Sequence, residues 1–315
     1  MNSKTLFVYA RLLLDDRDYL LNGLSGANHT PVFRVDLPET EHVSALQRAD
    51  IVLGNPPPGW FSDSMQFRWW QIDSAGFERY SHLTVPPDSV VCNVGDYYAW
   101  PCAETMMAGI LGLYRDIPPL AVLQSRTEWV GGPRRRKLRL LCNQTVIILG
   151  AGAIAQFLRQ MLVGFGCRVL LMARTNPEAQ IHTVNDLKTA LPDADVVVST
   201  LPGSAAGFFT ADLIAAMKPG SVFANVGRGN TVDEPALIEA LQREHLWGAV
   251  LDVTDIEPLP AENPLWTLPN VILTQHTGGG LPNEDRGKLT RFLENYPRFV
   301  AGESVPNQIT LARGY

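Results

Sequence analysis

Residues 145–155 read T-V-I-I-L-G-A-G-A-I-A, and this stretch decides the fold. Five residues, four of them aliphatic, predict a strand buried on both faces, as in a parallel sheet. The strand ends at Gly150-Ala151-Gly152, and an apolar pattern of helical spacing follows. Gly150 permits a sharp turn from strand to helix, and Gly152 lets backbone approach a diphosphate. Ala155 stands at the third position, where a small residue lets helix pack on strand. The helix start, at Ala153 and Ile154, offers unpaired N–H groups and the positive end of its dipole to phosphate. The motif therefore predicts dinucleotide binding at Gly150, Gly152, Ala153 and Ile154.

Further strands are expected on either side. Downstream they are Val169–Met172, Asp195–Thr200, Ser221–Val226, Ala249–Val253 and Val271–Thr274, with helical stretches such as Glu234–Arg243 between them. Strand and helix in alternation predict a doubly wound parallel sheet whose ligands sit beyond the carboxyl ends of the strands. Upstream, Leu6–Ala10, Ile51–Leu53 and Val90–Val94 predict a smaller α/β unit. Its aromatic stretch Phe67–Ile72 supplies core, through at least one of Trp69 and Trp70. A helix is expected from Trp100 to Arg115, ended by Pro118-Pro119, with a long polar, basic loop from Gln124 to Arg139.

The 315 residues suggest about two domains, and 46% hydrophobic with 18% charged residues describes an ordinary globular chain. The net charge of −6 gives no basis for nucleic-acid binding, and the run Arg134-Arg135-Arg136-Lys137 reads as a solvated loop. No apolar run is long enough for a membrane span or a signal peptide, so the expected location is cytoplasmic. Cys92, Cys102, Cys142 and Cys167 form no C-x-x-C pair, so no metal site is expected, and they read as thiols in a reducing compartment.

An acidic residue normally ends the second strand of such a sheet and holds the adenosine ribose hydroxyls. Here that position reads Ala173-Arg174-Thr175-Asn176, with no carboxylate. Arg can hold a 2′-phosphate by charge-assisted, bidentate hydrogen bonds, so the expected cofactor is NADP(H), with NAD(H) at lower affinity.

Three later segments carry ionisable residues at strand ends: N-V-G-R-G with Arg228, D-V-T-D-I-E-P-L-P with Glu257, and T-Q-H-T-G-G with His276. Arg228 and Glu257 are 29 residues apart, and Glu257 and His276 are 19 apart. These segments, with Ser74-Ala75-Gly76, Ala103-Glu104 and N-P-L-W-T-L-P-N-V-I-L-T from Asn263, closely resemble the D-isomer-specific 2-hydroxyacid dehydrogenase family. With Arg174 in the acidic position, the chain looks most like the NADPH-using glyoxylate/hydroxypyruvate reductase branch. It departs from the family pattern at Gln275 and Thr277, which flank the His where Pro and Ile are usual, and at Ala155 in place of the third glycine.

The resemblance implies an α/β fold of two Rossmann-like domains. Residues 1–98 and 283–315 would form a smaller flavodoxin-like substrate domain, and residues 99–282 the dinucleotide-binding domain. It implies reduction of a small 2-keto acid to the D-2-hydroxy acid. His276 is suited to general acid work, because imidazole titrates near 6.5. Glu257 would orient its ring. Arg228 would bind the substrate carboxylate and stabilise developing oxyanion charge. Further cofactor contacts are expected at Ala173, Arg174, Thr175, Leu201, Pro202, Val226, Gly227, Asp252, His276 and Gly278. Ala75, Gly76, Arg228 and His276 are expected to touch substrate. A homodimer is implied, built on the helix from Pro101 and the segment to Arg139. Trp129 is its anchor or an ordinary packed aromatic. Two alternatives stand beside this reading. One is a bulkier keto acid, served by Trp60, Phe61 and Trp100. The other is a dinucleotide-sensing co-regulator.

Overall fold

The computed structural model describes residues 4–314. The chain divides into two compact units, residues 1–97 with 281–315, and residues 98–280. In the first unit the elements run β1 (Lys4–Val8), α1 (Leu14–Gly23), β2 (His29–Phe33), α2 (His42–Gln47), β3 (Ile51–Leu53), β4 (Trp69–Gln71) and β5 (Val90–Cys92). All five strands are parallel, in the order β2-β1-β3-β4-β5. This is the flavodoxin-like order.

The second unit holds α3 (Ala99–Tyr114), α4 (Ile117–Ser125), α5 (Gly132–Arg135), β6 (Thr145–Leu149), α6 (Ala153–Gly164), β7 (Arg168–Met172), α7 (Val184–Ala190), β8 (Val196–Ser199), α8 (Ala211–Ala216), β9 (Val222–Asn225), α9 (Glu234–Gln242), β10 (Gly248–Leu251) and β11 (Val271–Leu273). Its six strands are parallel in the order β11-β10-β9-β8-β6-β7. The chain then returns to the first unit as α10 (Glu284–Val300).

Strand β6 is buried from Val146 to Leu149. Val146 and Ile148 pack on the side of α3 and α6, while Ile147 and Leu149 face the layer that holds Leu213, Leu237 and Leu241. That period of two, apolar on both sides, is what a central parallel strand requires. Helix α6 buries Ala155, Leu158 and Leu162, spaced three and four residues apart. The two leucines together contribute about 3–6 kcal/mol of burial. Helix α7 starts on a capping box between Thr183 and Asp186, and Asp233 caps α9 by accepting from the Ala236 N–H.

In the first unit the aromatic stretch forms β4. Trp69 and Trp70 are both fully buried and face opposite layers. Trp69 stacks on Phe292 of α10 with ring centroids 4.7 Å apart, so the returning helix closes one face of the sheet. The Trp70 indole donates to Gly54 O at 2.9 Å.

Several expected boundaries moved. The first strand is Lys4–Val8 rather than Leu6–Ala10. Strand β2 was absent from the sequence reading, because its H-T-P-V-F segment carries a proline that only an edge strand accepts. Pro118-Pro119 does not simply end α3. That helix stops at Tyr114, and the prolines occupy the first turn of α4, where missing N–H groups cost nothing. The two helices meet at 69°. The expected long loop after Gln124 contains the short α5. Trp129 is 97% exposed, so the packed-aromatic reading of it fails.

Candidate active site

In the second unit the sheet order changes direction at β6, with β7 on one side and β8 on the other. Ligands bind at such a switch point, beyond the carboxyl ends of the strands. Gly150 lies there with φ +112°, and a Cβ on it would stand 2.4 Å from Thr200 Oγ1. Glycine is therefore demanded twice, by backbone and by space. Gly152 is the N-cap of α6, no side chain caps that helix, and a Cβ on Gly152 would meet nothing within 4 Å. Open space, exposed Ala153 and an uncapped helix start fit a diphosphate. Ile154 packs on the core beside them.

Past β7, Ala173 is fixed by its N–H to Ile181 O, while Arg174 and Thr175 are exposed. Among the described residues no carboxylate pairs with Arg174. Leu201 and Pro202 follow β8, and a Cβ on Gly227 would come within 2.3 Å of Leu201 O. The segments after β8 and β9 are thus pressed together, and Val226 is buried in the core. These residues fit a nicotinamide dinucleotide laid across the carboxyl edge.

Strands β9, β10 and β11 are neighbours, and Asn225, Leu251 and Leu273 stand in register at their ends. That register is why residues far apart in sequence leave the sheet at one edge. Asn225 shapes the first turn: its Oδ1 accepts from Gly227 N, and its Nδ2 donates to Arg228 O. Thr231 Oγ1 donates to the same carbonyl at 2.7 Å. Arg228 is half-buried and donates through Nη1 to Gly227 O. A Cβ on Gly229 would stand 1.9 Å from Thr254 O, so this turn abuts the segment after β10.

Glu257 and His276 meet directly, with Nδ1 of the ring 2.6 Å from Oε2. The Glu257 side chain is 36% exposed and that of His276 is 51% exposed. The other carboxylate oxygen, Oε1, accepts from Thr254 N. With Nδ1 held by the carboxylate, Nε2 is the ring nitrogen left to exchange a proton. The bond from Glu257 to Pro258 is cis.

The His276 segment is unusual. Gln275 and His276 both have positive φ, +53° and +55°. A proline could not occupy position 275 in this conformation, since its φ is locked near −65°. Asp252, 4% exposed, holds the segment. Its Oδ1 accepts from Thr274 Oγ1, Thr277 N and Gly278 N, and its carbonyl accepts from His276 N at 2.6 Å. Asp252 and Gly278, both expected among the cofactor contacts, are joined to each other in this turn. Sequence reasoning missed Asn225, Thr254, Thr274 and Thr277. A short polar side chain at a strand end, able to bond nearby backbone, was the available signal.

In the first unit, Ala75 and Gly76 follow β4. Their carbonyls accept from Asn93 Nδ2 and Ser74 Oγ, and among the described residues nothing accepts from their N–H groups. Phe61 lies 4.5 Å from Trp70 between ring centroids, and Trp60 packs edge-on to Tyr9. Both are partly buried and pack against that unit's own core. Trp100, in the second unit, packs on Phe157 and donates to Glu104. The four cysteines are free, with Cys142 exposed and the others buried. Among the described residues no group of His, Cys, Asp and Glu could hold a metal.

Residues 107–278 match the model for the D-isomer specific 2-hydroxyacid dehydrogenase NAD binding domain. A glyoxylate/hydroxypyruvate reductase B of Serratia proteamaculans is 38% identical over 275 residues, 84% of this chain and 85% of that one. Among solved structures, a D-isomer specific 2-hydroxyacid dehydrogenase family protein from Aeromonas salmonicida is 27% identical. It superposes with a TM-score of 0.83 over 98% of this chain and 100% of that one. A D-isomer specific 2-hydroxyacid dehydrogenase from Xanthobacter autotrophicus, solved with NADPH and MES, is 27% identical, with a TM-score of 0.81 over 99% and 100% of the two chains. The chain belongs to the D-isomer specific 2-hydroxyacid dehydrogenase family, and it is an oxidoreductase that uses a nicotinamide dinucleotide.

Proposed function

We propose that this protein reduces a small 2-keto acid, glyoxylate or hydroxypyruvate, to the D-2-hydroxy acid, and does so with NADPH. The 2.6 Å bond between Glu257 and His276 carries the reading. A carboxylate on Nδ1 orients the ring and stabilises its protonated form, so Nε2 can give a proton to a ketone oxygen. Arg228, at the neighbouring strand end, binds the substrate carboxylate and favours charge developing on that oxygen. The bound nicotinamide supplies the hydride. In the reverse direction His276 takes the proton back.

The choice of phosphate-bearing cofactor rests on exposed Arg174 where a carboxylate would repel it. The NADPH in the Xanthobacter structure supports it, and the name of the Serratia relative supports the choice of substrate. The N–H groups of Ala75 and Gly76, from which nothing accepts among the described residues, suit a carboxylate. The exposed apolar side chains Ile117, Leu120, Val122 and Trp129 support a homodimer through this face, and a cytoplasmic site of action is proposed with it. The test is an assay of glyoxylate and hydroxypyruvate with each reduced cofactor. Turnover is expected with NADPH at a lower KM than with NADH. Absence of turnover on any 2-keto acid would refute the reading.

A further inference from the structure

Strand β7 ends at Met172, and a later segment of the chain bonds the next residue, Ala173, on both sides. The Ala173 N–H donates to Ile181 O at 3.0 Å, and its carbonyl accepts from Nδ1 of His182 at 2.8 Å. The His182 ring is thus anchored to the residue that directly precedes Arg174. His182, Arg174 and Thr175 are all exposed. A carbonyl can only accept, so Nδ1 carries the proton of this bond and Nε2 is the nitrogen left to titrate. Among the described residues Nε2 has no partner. Unprotonated, Nε2 is an acceptor and offers a phosphate nothing. Protonated, it is a donor on a positively charged ring.

The charges on the adjoining elements leave room for an anion beside this ring. Arg174, at the exit of β7, is a cation with no carboxylate partner among the described residues. On the connector that follows, Glu178 Oε2 is drawn toward α6, 3.4 Å from both Arg159 Nη1 and Gln156 Nε2. On α7, Asp186 Oδ2 accepts from Thr183 N in the capping box, and Lys188 adds a positive charge. The exit of β8, Leu201-Pro202-Gly203-Ser204, carries no ionisable group.

We infer, resting on the cofactor reading above, that His182 is a second determinant of cofactor choice, and that with Arg174 it holds the 2′-phosphate of NADP(H) as an imidazolium. Phosphate then favours the protonated ring, so binding takes up a proton. The contribution of His182 is present where imidazole is charged and is lost as pH rises through its range, about pH 5–8. A dinucleotide without the 2′-phosphate gains nothing from the ring at any pH.

Calorimetric titration of the full chain with NADP+ and NAD+ tests this, comparing the parent with His182→Gln at about pH 6 and about pH 8.5. Gln keeps a donor for the Ala173 carbonyl and has no titrating group. The readout is the preference for NADP+, the ratio of the two dissociation constants. At the lower pH the parent's preference is expected to exceed the variant's at least about fivefold, the scale of one exposed charge-assisted hydrogen bond. At the higher pH the two should agree within about twofold. The 2′-phosphate itself titrates near about pH 6, but it does so for both proteins and cancels from the comparison. Unchanged NAD+ binding shows that the variant is folded. A loss of preference that is equal at both pH values would make His182 a brace for the turn, and no loss at either would exclude it; each overturns the inference. If the parent prefers NADP+ while His182→Gln behaves identically, the cofactor reading stands and only the role of His182 falls. If the parent shows no preference for NADP+ at either pH, the cofactor reading fails and takes this role with it.

Discussion

Replacing Asp252 by Ala tests how the imidazole is held. Gln275 and His276 sit side by side in the left-handed region, which costs about 2–4 kcal/mol for the pair. Something must outweigh that cost. Three hydrogen bonds to one oxygen of a buried carboxylate, each contributing about 1.5–3 kcal/mol, are sufficient. With Ala in place, the Thr277 and Gly278 N–H groups and the Thr274 hydroxyl lose their acceptor, and the strain is no longer offset. The expected loss of stability is about 3–5 kcal/mol, which lowers the melting temperature by roughly 6–12 °C. A shift of about 1 Å in the ring lowers kcat by about a hundredfold. Asp252→Asn keeps one carbonyl oxygen in place and should lose only about tenfold. The assay is the fall in reduced-nicotinamide absorbance with glyoxylate, beside thermal unfolding and exchange of the His276 amide. A positioning role predicts that kcat falls while the KM for cofactor barely moves. If Asp252→Ala keeps kcat within about threefold of the parent and the His276 amide stays protected, the reasoning is wrong.

Other outcomes follow from the same geometry. His276→Ala should lower kcat at least about a hundredfold, and near-normal turnover would remove the ring from proton transfer. Arg228→Ala should lower kcat and raise the KM for keto acid together; unchanged glyoxylate kinetics would exclude it from substrate binding. Arg174→Asp should raise the KM for NADPH at least about tenfold and leave that for NADH nearly unaltered, which steady-state kinetics with both cofactors would show. Burial of His29, opposed in part by Asp50, pushes its imidazole below the ordinary value of 6.5. The fold holds it neutral while the unfolded chain protonates it. The stability it contributes is therefore complete above about pH 6.5 and lost as pH falls from there through the depressed value. Urea unfolding at pH 7.5 and 5.5 should show this fall, and His29→Gln should reduce it; an equal slope in the variant would assign the acid sensitivity to other groups.

The legible part of the chain was local. Buried parallel strands such as β6 and β8 are unbroken aliphatic runs, so their identity survives without any tertiary information. Turns that demand glycine, at 150 and 227, were visible because no other residue fits them. The short edge strand β2 was not visible, since a proline in five residues outweighs its pattern. Nor was the start of α4, because a proline pair reads equally as the end of one helix or the first turn of another.

The site divides in the same way. Residue type and spacing, through the family resemblance they carry, indicated an arginine, a glutamate and a histidine after three successive strands of a parallel sheet, and the glycine turn indicated a dinucleotide. Those statements concern chemistry and chain order, which a sequence contains. It does not contain the register of β9, β10 and β11, which brings their ends level, or the contact at 2.6 Å between Glu257 and His276. Least visible was the brace on the histidine. Its left-handed backbone is unfavourable for the residues that occupy it, so no local preference announces it, and hydrogen bonds accepted by a buried aspartate 24 residues away in the chain brace it.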